Sequence, residues 1–124
     1  MMARKKILLV DDSKIVLLIE QMILAKGPYD IVMASDGSEG LERAVSERPD
    51  LILMDLMMPR MNGLDAVREL RRRESTKHIP VIFVTTRGEA ESMAAGFESG
   101  GNDYVTKPID SRALLAKVRD HLGI

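Results

Sequence analysis

Five short runs of Val, Ile and Leu, each separated from the next by a longer amphipathic stretch, constrain this chain more than any other feature. They are KILLV (6–10), DIVMA (30–34), LILMD (51–55), PVIFV (80–84) and the weaker DYVT (103–106). Runs of that length read as strands, and their alternation with helical patterns reads as repeated βα units. Strands that are apolar at every position have both faces covered, the condition of a parallel sheet with helices on each side. Right-handed crossovers then leave few topologies. The expected fold is α/β, a doubly wound five-stranded parallel sheet with five helices. A closed eight-fold barrel would need about twice these 124 residues.

Between the runs, Ile15, Leu18, Ile19, Met22 and Ile23 fall at i, i+3, i+4, i+7 and i+8 and predict one face of a first helix, with Ser13 as its N-cap. Leu41, Ala44 and Val45 predict a second helix. Leu64, Val67 and Leu70 predict a third, after the Asn62-Gly63 turn signal. Ala90, Met93, Ala94 and Phe97 predict a fourth that ends near Gly100 and Gly101, and Leu114, Leu115, Val118 and Leu122 a fifth. One core, hence one domain over residues 1–124, is expected at this length.

In a parallel sheet every strand ends on the same edge, so the residues that follow the apolar runs meet in one crevice. Those residues are Asp11 and Asp12 after the first run, Asp55 at the end of the third, Thr85 after the fourth, and Lys107, followed by Pro108, after the fifth. Asp55 stands out because it lies inside LILMDLMMP (51–59), where a lone acid is costly to bury unless its charge is used. Three carboxylates at about 5 Å from one another repel by roughly 3 kcal/mol per pair at an effective dielectric near 20. A hard divalent cation with oxygen ligands offsets that, and Mg²⁺ is the natural choice where carboxylates meet a phosphoryl group. One carboxylate then stays ionised and serves as a nucleophile, while Lys107 and the Thr85 hydroxyl cover phosphoryl oxygens.

Each residue also has a plainer reading. Asp11 and Asp12 suit a helix N-terminus, Asp55 a turn, Thr85 a strand end and Lys107 a solvated loop. Their coincidence at one edge of one sheet weighs against four separate accidents.

Charge and composition narrow the classes further. With 18 Lys and Arg against 19 Asp and Glu the formal net charge is -1, which gives no general attraction to nucleic acid or anionic membranes. The short basic clusters RKK (4–6) and RRR (71–73) read as solvated surface, and His78 and His121 as isolated surface residues. The chain has no cysteine, which excludes disulfides, thiolate catalysis and cysteine-ligated zinc. No apolar run approaches a signal sequence or a membrane span, so a soluble, cytoplasmic protein is expected.

LLVDDS (8–13), LILMDLMMPRMNG (51–63), VTT (84–86) and DYVTKP (103–108), in that order, resemble the blocks of the receiver domain of bacterial two-component response regulators, in particular the single-domain, chemotaxis-regulator-like kind. The resemblance implies a flavodoxin-like sheet of order 2-1-3-4-5. It implies that Asp55 is the phospho-acceptor, attacking a phosphohistidine on a sensor histidine kinase or phosphotransfer protein. Asp12, the Asp55 carboxylate and the Met57 backbone carbonyl would bind Mg²⁺ directly, and Asp11 mostly through water. Thr85 and Lys107 would hold phosphoryl oxygens, and the Lys107-Pro108 peptide would be cis.

The same resemblance implies a switch in which Thr85 turns toward the phosphoryl group and Tyr104 moves into the space it leaves, altering the surface of the fourth helix, fifth strand and fifth helix. The chain would be a signalling phospho-acceptor and not an enzyme, with only self-phosphorylation and self-dephosphorylation chemistry. Its readers would be a downstream target protein or a fused output domain absent from this chain, with no direct nucleic acid or membrane contact, and a phosphorylation-dependent dimer.

Three residues are expected to tune the site, Thr86 by narrowing access to Asp55 and the other two by lengthening the phosphoryl lifetime. Thr86 stands where many such domains carry alanine, and Met57 and Arg87 stand where side chains control the attacking water. An apolar Met57 and a basic Arg87 are expected to shield the phosphoryl group. A Mg²⁺-dependent phosphatase is disfavoured because position 57 is methionine, where such hydrolases carry a second acid. A nucleotide or flavin binder is disfavoured because two acids occupy the first turn in place of a glycine-rich loop. The remaining alternative is a receiver-like interaction module that is never phosphorylated.

Overall fold

A computed structural model of the chain describes residues 4–56, 58, 61–86, 94 and 97–123. Strands β1 (Lys5–Val10), β2 (Tyr29–Ala34), β3 (Leu51–Asp55), β4 (Val81–Thr86) and β5 (Asp103–Lys107) form one parallel sheet of order β2-β1-β3-β4-β5. Helices α1 (Lys14–Leu24), α2 (Gly37–Glu47), α3 (Gly63–Arg72) and a C-terminal helix (Ser111–Leu122) connect and follow the strands. Residues 97–99, at the end of the expected fourth helix, are helical, whereas Ala90 and Met93 lie outside the described residues.

The pleat divides the core in two. Leu8, Val10, Ile52, Met54, Val81 and Phe83 pack on one side against Leu41 and Ala44 of α2 and Ala66, Val67 and Leu70 of α3. Ile7, Leu9, Leu51, Leu53, Ile82, Val84 and Val105 pack on the other against Leu17, Ile23 and Leu24 of α1 and Leu114 and Val118 of the C-terminal helix. Both faces are therefore covered, which is why these strands need no alternation of polar and apolar residues. Every residue of β3 is buried, whereas the edge strand β5 buries only Val105. That difference accounts for the weakness of DYVT as a strand signal.

Ser13 caps α1 as expected, its side chain accepting from the Val16 N–H at 3.3 Å. Asn62 does the same for α3, accepting from the Asp65 N–H at 3.0 Å.

The facing of α1 is not the expected one. Ile15, Leu18, Ile19 and Met22 are exposed, and of the predicted stripe only Ile23 is buried. The helix instead turns Leu17, Glu20, Ile23 and Leu24 to the sheet. It carries more apolar residues than one face can use, so periodicity offers two stripes. Packing against the sheet selects the one that points inward. The two adjacent leucines report this directly, because Leu17 is 8% exposed and Leu18 55%. In urea unfolding, Leu17→Ala is expected to cost about 2–5 kcal/mol and Leu18→Ala no more than about 0.5 kcal/mol. The opposite ranking would contradict this facing.

The basic run at 71–73 also differs from a plain solvated surface. Arg71 Nε donates to the Gly100 carbonyl at 2.9 Å, its Nη1 to the carbonyls of Ile79 at 2.8 Å and Lys77 at 3.2 Å, and its Nη2 to Asn102 Oδ1 at 2.9 Å. It ties the end of α3 to the segments entering β4 and β5.

Candidate functional site

The register of the sheet sets the site. Asp55 ends β3 beside Val84, Lys107 ends β5 beside Thr86, and Asp11 follows β1, its N–H donating to the Ala34 carbonyl at 3.1 Å. By two-residue alternation Asp11 continues the row of Ile7 and Leu9, Asp55 that of Leu51 and Leu53, and Lys107 that of Val105. All three rows belong to the face covered by α1 and the C-terminal helix.

The Lys107 ammonium reaches between the acids, with Nζ 3.2 Å from Asp11 Oδ2 and 3.3 Å from Asp55 Oδ1. Asp11 is 1% exposed and Asp55 5%, whereas Asp12 is open to water. Asp11 Oδ1 accepts from the Ser13 N–H at 2.8 Å, which fixes the carboxylate. Asp11 Oδ2 has the lysine charge nearby but no hydrogen bond of good geometry.

Burial, and after it the Asp11 charge, push the Asp55 carboxyl up to about 6, with Lys107 acting in the opposite sense. Burial works to lower the Lys107 ammonium, but the charges of Asp55 and Asp11 outweigh it and the group is held above its ordinary value. The expected cis peptide between Lys107 and Pro108 is present.

Carboxylate oxygens of Asp11, Asp12 and Asp55 lie within 4.8 Å of one another. An all-carboxylate donor set, in which Asp11 Oδ2 is buried without a hydrogen bond, fits a hard divalent cation and gives a softer metal no ligand it prefers. Thr85, the residue after Val84, is buried at the end of β4, and Thr86 beside Lys107 is exposed. Tyr104 lies on β5, with its ring edge-on to Phe97. Met57 and Arg87 lie outside the described residues.

Glu20 was not foreseen. It is 1% exposed on the inward side of α1, and its Oε1 has no hydrogen-bond partner. Burial and then the Asp11 charge push its carboxyl up to about 8, with Lys107 opposing and Asp55 adding. The available signal was the one Asp55 gives, an acid within an apolar run, here KIVLLIEQMIL.

The fold and this acidic crevice define a class, and the chain belongs to it: the response regulator receiver domain family matches residues 7–119. Receiver domains of response regulators accept a phosphoryl group on an aspartate in two-component signalling, interact with histidine kinases and downstream effectors, and are not conventional enzymes. The chain is 40% identical over 114 residues to the DNA-binding dual master transcriptional regulator RpaA of Synechocystis, covering 92% of this chain and 47% of RpaA. It is 38% identical over 113 residues to protein PilH of Pseudomonas aeruginosa, covering 91% of this chain and 93% of PilH.

Among solved structures it resembles the receiver domain of a sensor histidine kinase from Pseudomonas aeruginosa with a magnesium ion coordinated in its active-site cleft. The TM-score is 0.90 at 29% identity, covering 98% of this chain and all of the other. The chain spans about half the length of RpaA and of other curated relatives it matches. Among the described residues no helix is long and apolar enough to cross a membrane.

Proposed function

We propose that Asp55 is the phospho-acceptor of this receiver, served by Mg²⁺ held at Asp11, Asp12 and Asp55. The observation that carries the reading is the meeting of three carboxylates within 4.8 Å, with the Lys107 ammonium touching two of them, at the end of a wholly buried strand. The donor is a phosphohistidine on a sensor histidine kinase or phosphotransfer protein. A carboxylate oxygen of Asp55 bonds to phosphorus as the phosphorus–nitrogen bond breaks. The electron pair leaves on the imidazole, which takes up a proton.

A magnesium ion held by these carboxylates would supply positive charge to the transferring phosphoryl oxygens. Lys107 supplies the matching charge from the protein side, and its ion pair with Asp11 keeps the ammonium at the acceptor when its contact with Asp55 gives way to one with phosphate. Thr85, at the adjoining strand end, offers a hydroxyl for a further oxygen.

Phosphorylation adds close to two negative charges where Lys107 and Thr85 read them. Tyr104 then moves, and the surface formed by the segment before Gly100, β5 and the C-terminal helix changes for a downstream target, a fused output domain or a second copy of the chain. Inverting a 1:99 equilibrium requires the phosphoryl contacts to favour the active form by about 5.5 kcal/mol. A few charge-assisted hydrogen bonds supply that.

Incubation with Mg²⁺ and a small acyl phosphate, read by intact mass, is expected to add one phosphoryl group to the protein and none to Asp55→Asn. Omission of Mg²⁺ is expected to slow uptake at least tenfold, the effect of about 1.4 kcal/mol of lost transition-state stabilisation. Equal labelling of Asp55→Asn would refute the assignment. No labelling of either protein would leave a receiver-like interaction module as the better reading.

A further inference from the structure

Tyr104 has a second neighbour besides Phe97. The Phe97 and Tyr104 rings meet edge to face, with centroids 6.1 Å apart and planes at 79°. Lys117, from the C-terminal helix, places its Nζ over the Tyr104 ring, 5.6 Å from the centroid. That is within the reach of a cation–π contact, about 6 Å.

The ammonium is also tethered. Lys117 Nζ donates to Asp103 Oδ1 at 2.7 Å, and the same Oδ1 accepts from the Tyr104 N–H at 2.8 Å. Asp103 Oδ2 lies 3.1 Å from His121 Nε2, so His121 is not the isolated surface residue its sequence context suggests. Burial favours the neutral form of Asp103, but the hydrogen bonds from Lys117, Tyr104 and His121 outweigh it and hold the carboxyl below its ordinary value. The charge over the ring is thus anchored on the residue immediately before the tyrosine.

We propose that Lys117 is a positioning residue for Tyr104, its ammonium, anchored on Asp103, capping the ring and holding it against Phe97 in the resting protein. The proposal rests on the reading of Tyr104 as the group that moves on phosphorylation, and it names what the moving ring must leave. The helix that carries Lys117 is seated by Leu114 and Val118, both fully buried, so Lys117 is not needed to dock it. Its side chain is 34% exposed and that of Asp103 25%, which leaves the contact partly screened. A partly screened cation–π contact biases the ratio of ring positions by about two- to fivefold. Without it Tyr104 samples its displaced position before any phosphoryl group arrives.

The test uses 3-fluorotyrosine and fluorine NMR. The chain contains two tyrosines, and the buried Tyr29 serves as an internal reference. The protein, Lys117→Met and Lys117→Arg are compared, first alone and then with Mg²⁺ and an acyl phosphate. Methionine keeps much of the stem without the charge, whereas arginine keeps a charge able to lie over the ring. The Tyr104 resonance is expected to be displaced in Lys117→Met along the direction that phosphorylation moves it, with Lys117→Arg matching the parent. Coincidence of Lys117→Met with the parent, or an equal displacement in Lys117→Arg, would overturn the proposal. If the donor fails to move Tyr104 in the parent, the switch reading fails. The comparison of Met with Arg in the absence of donor still decides the role of Lys117.

Discussion

Glu20→Leu is expected to raise the stability of the metal-free protein at pH 7 by about 3 kcal/mol and to remove most of its loss of stability toward alkaline pH. The carboxyl has an ordinary value of 4.5 and is held at about 8 in the folded chain, first by burial and then by the Asp11 charge. Between those values the folded chain keeps a proton that the unfolded chain has released. Its contribution to stability is therefore fully present below about 4.5 and declines as pH rises to about 8. The full span is on the order of 5 kcal/mol.

Leucine removes the titration and fills the place with apolar volume, whereas Glu20→Gln removes the titration but leaves a buried amide in need of partners. Urea unfolding at pH 5, 7 and 9 with chelator present measures this. Asp55, held at about 6, leaves a smaller slope of the same sign at the acid end of the range in the variant. Parallel profiles for the parent and Glu20→Leu would show that the carboxyl is ionised and solvated, contrary to its burial.

Gly63→Ala is expected to be the most damaging single-methyl change at the site. A Cβ at Gly63 would run into the backbone carbonyl of Asp55 and lie 3.1 Å from Leu56 Cα and Met54 Cγ. The Gly63 N–H also donates to the Leu56 carbonyl at 3.0 Å, so α3 begins in contact with the end of β3. A flexible side chain could yield, but the backbone of a fully buried strand has nowhere to go. A loss of about 2–3 kcal/mol is expected. In a domain of this size that lowers the melting temperature by roughly 6–15 °C. The same displacement would spoil the acid cluster, so on the proposed role of Mg²⁺ the increase in melting temperature on its addition is expected to be smaller in the variant than in the parent. A variant with full stability and an unchanged Mg²⁺ response would show that α3 can draw back freely.

Asp11, Asp12, Asp55 and Lys107 were legible in the sequence for one physical reason. A parallel sheet has a single carboxyl edge, so the residue that ends each apolar run has its position decided by topology. Ser13 was legible as a cap because its chemistry is local, whereas Asn62 was legible only as part of a turn and its capping of α3 comes from the structure. The inward face of α1 was not, because Leu18 and Leu17 are equally apolar and only packing against the sheet distinguishes them. Glu20 was hidden by the same ambiguity, since a glutamate beside an apparent core stripe reads as solvent-facing. Arg71 and His121 read as plain surface residues because their partners, Gly100, Asn102 and Asp103, are distant in sequence and are brought near only by the strand crossings.

The burial of β3 bears on how a signal leaves this molecule. A strand flanked by β1 and β4 and roofed on both faces behaves as an anvil. A blow struck at its tip cannot be absorbed by moving the strand, because any shift would open voids in two packed layers at once. The disturbance must emerge where restraint is weakest, at the rim and along the outermost strand. Stiffness at the centre is what gives the periphery something to report.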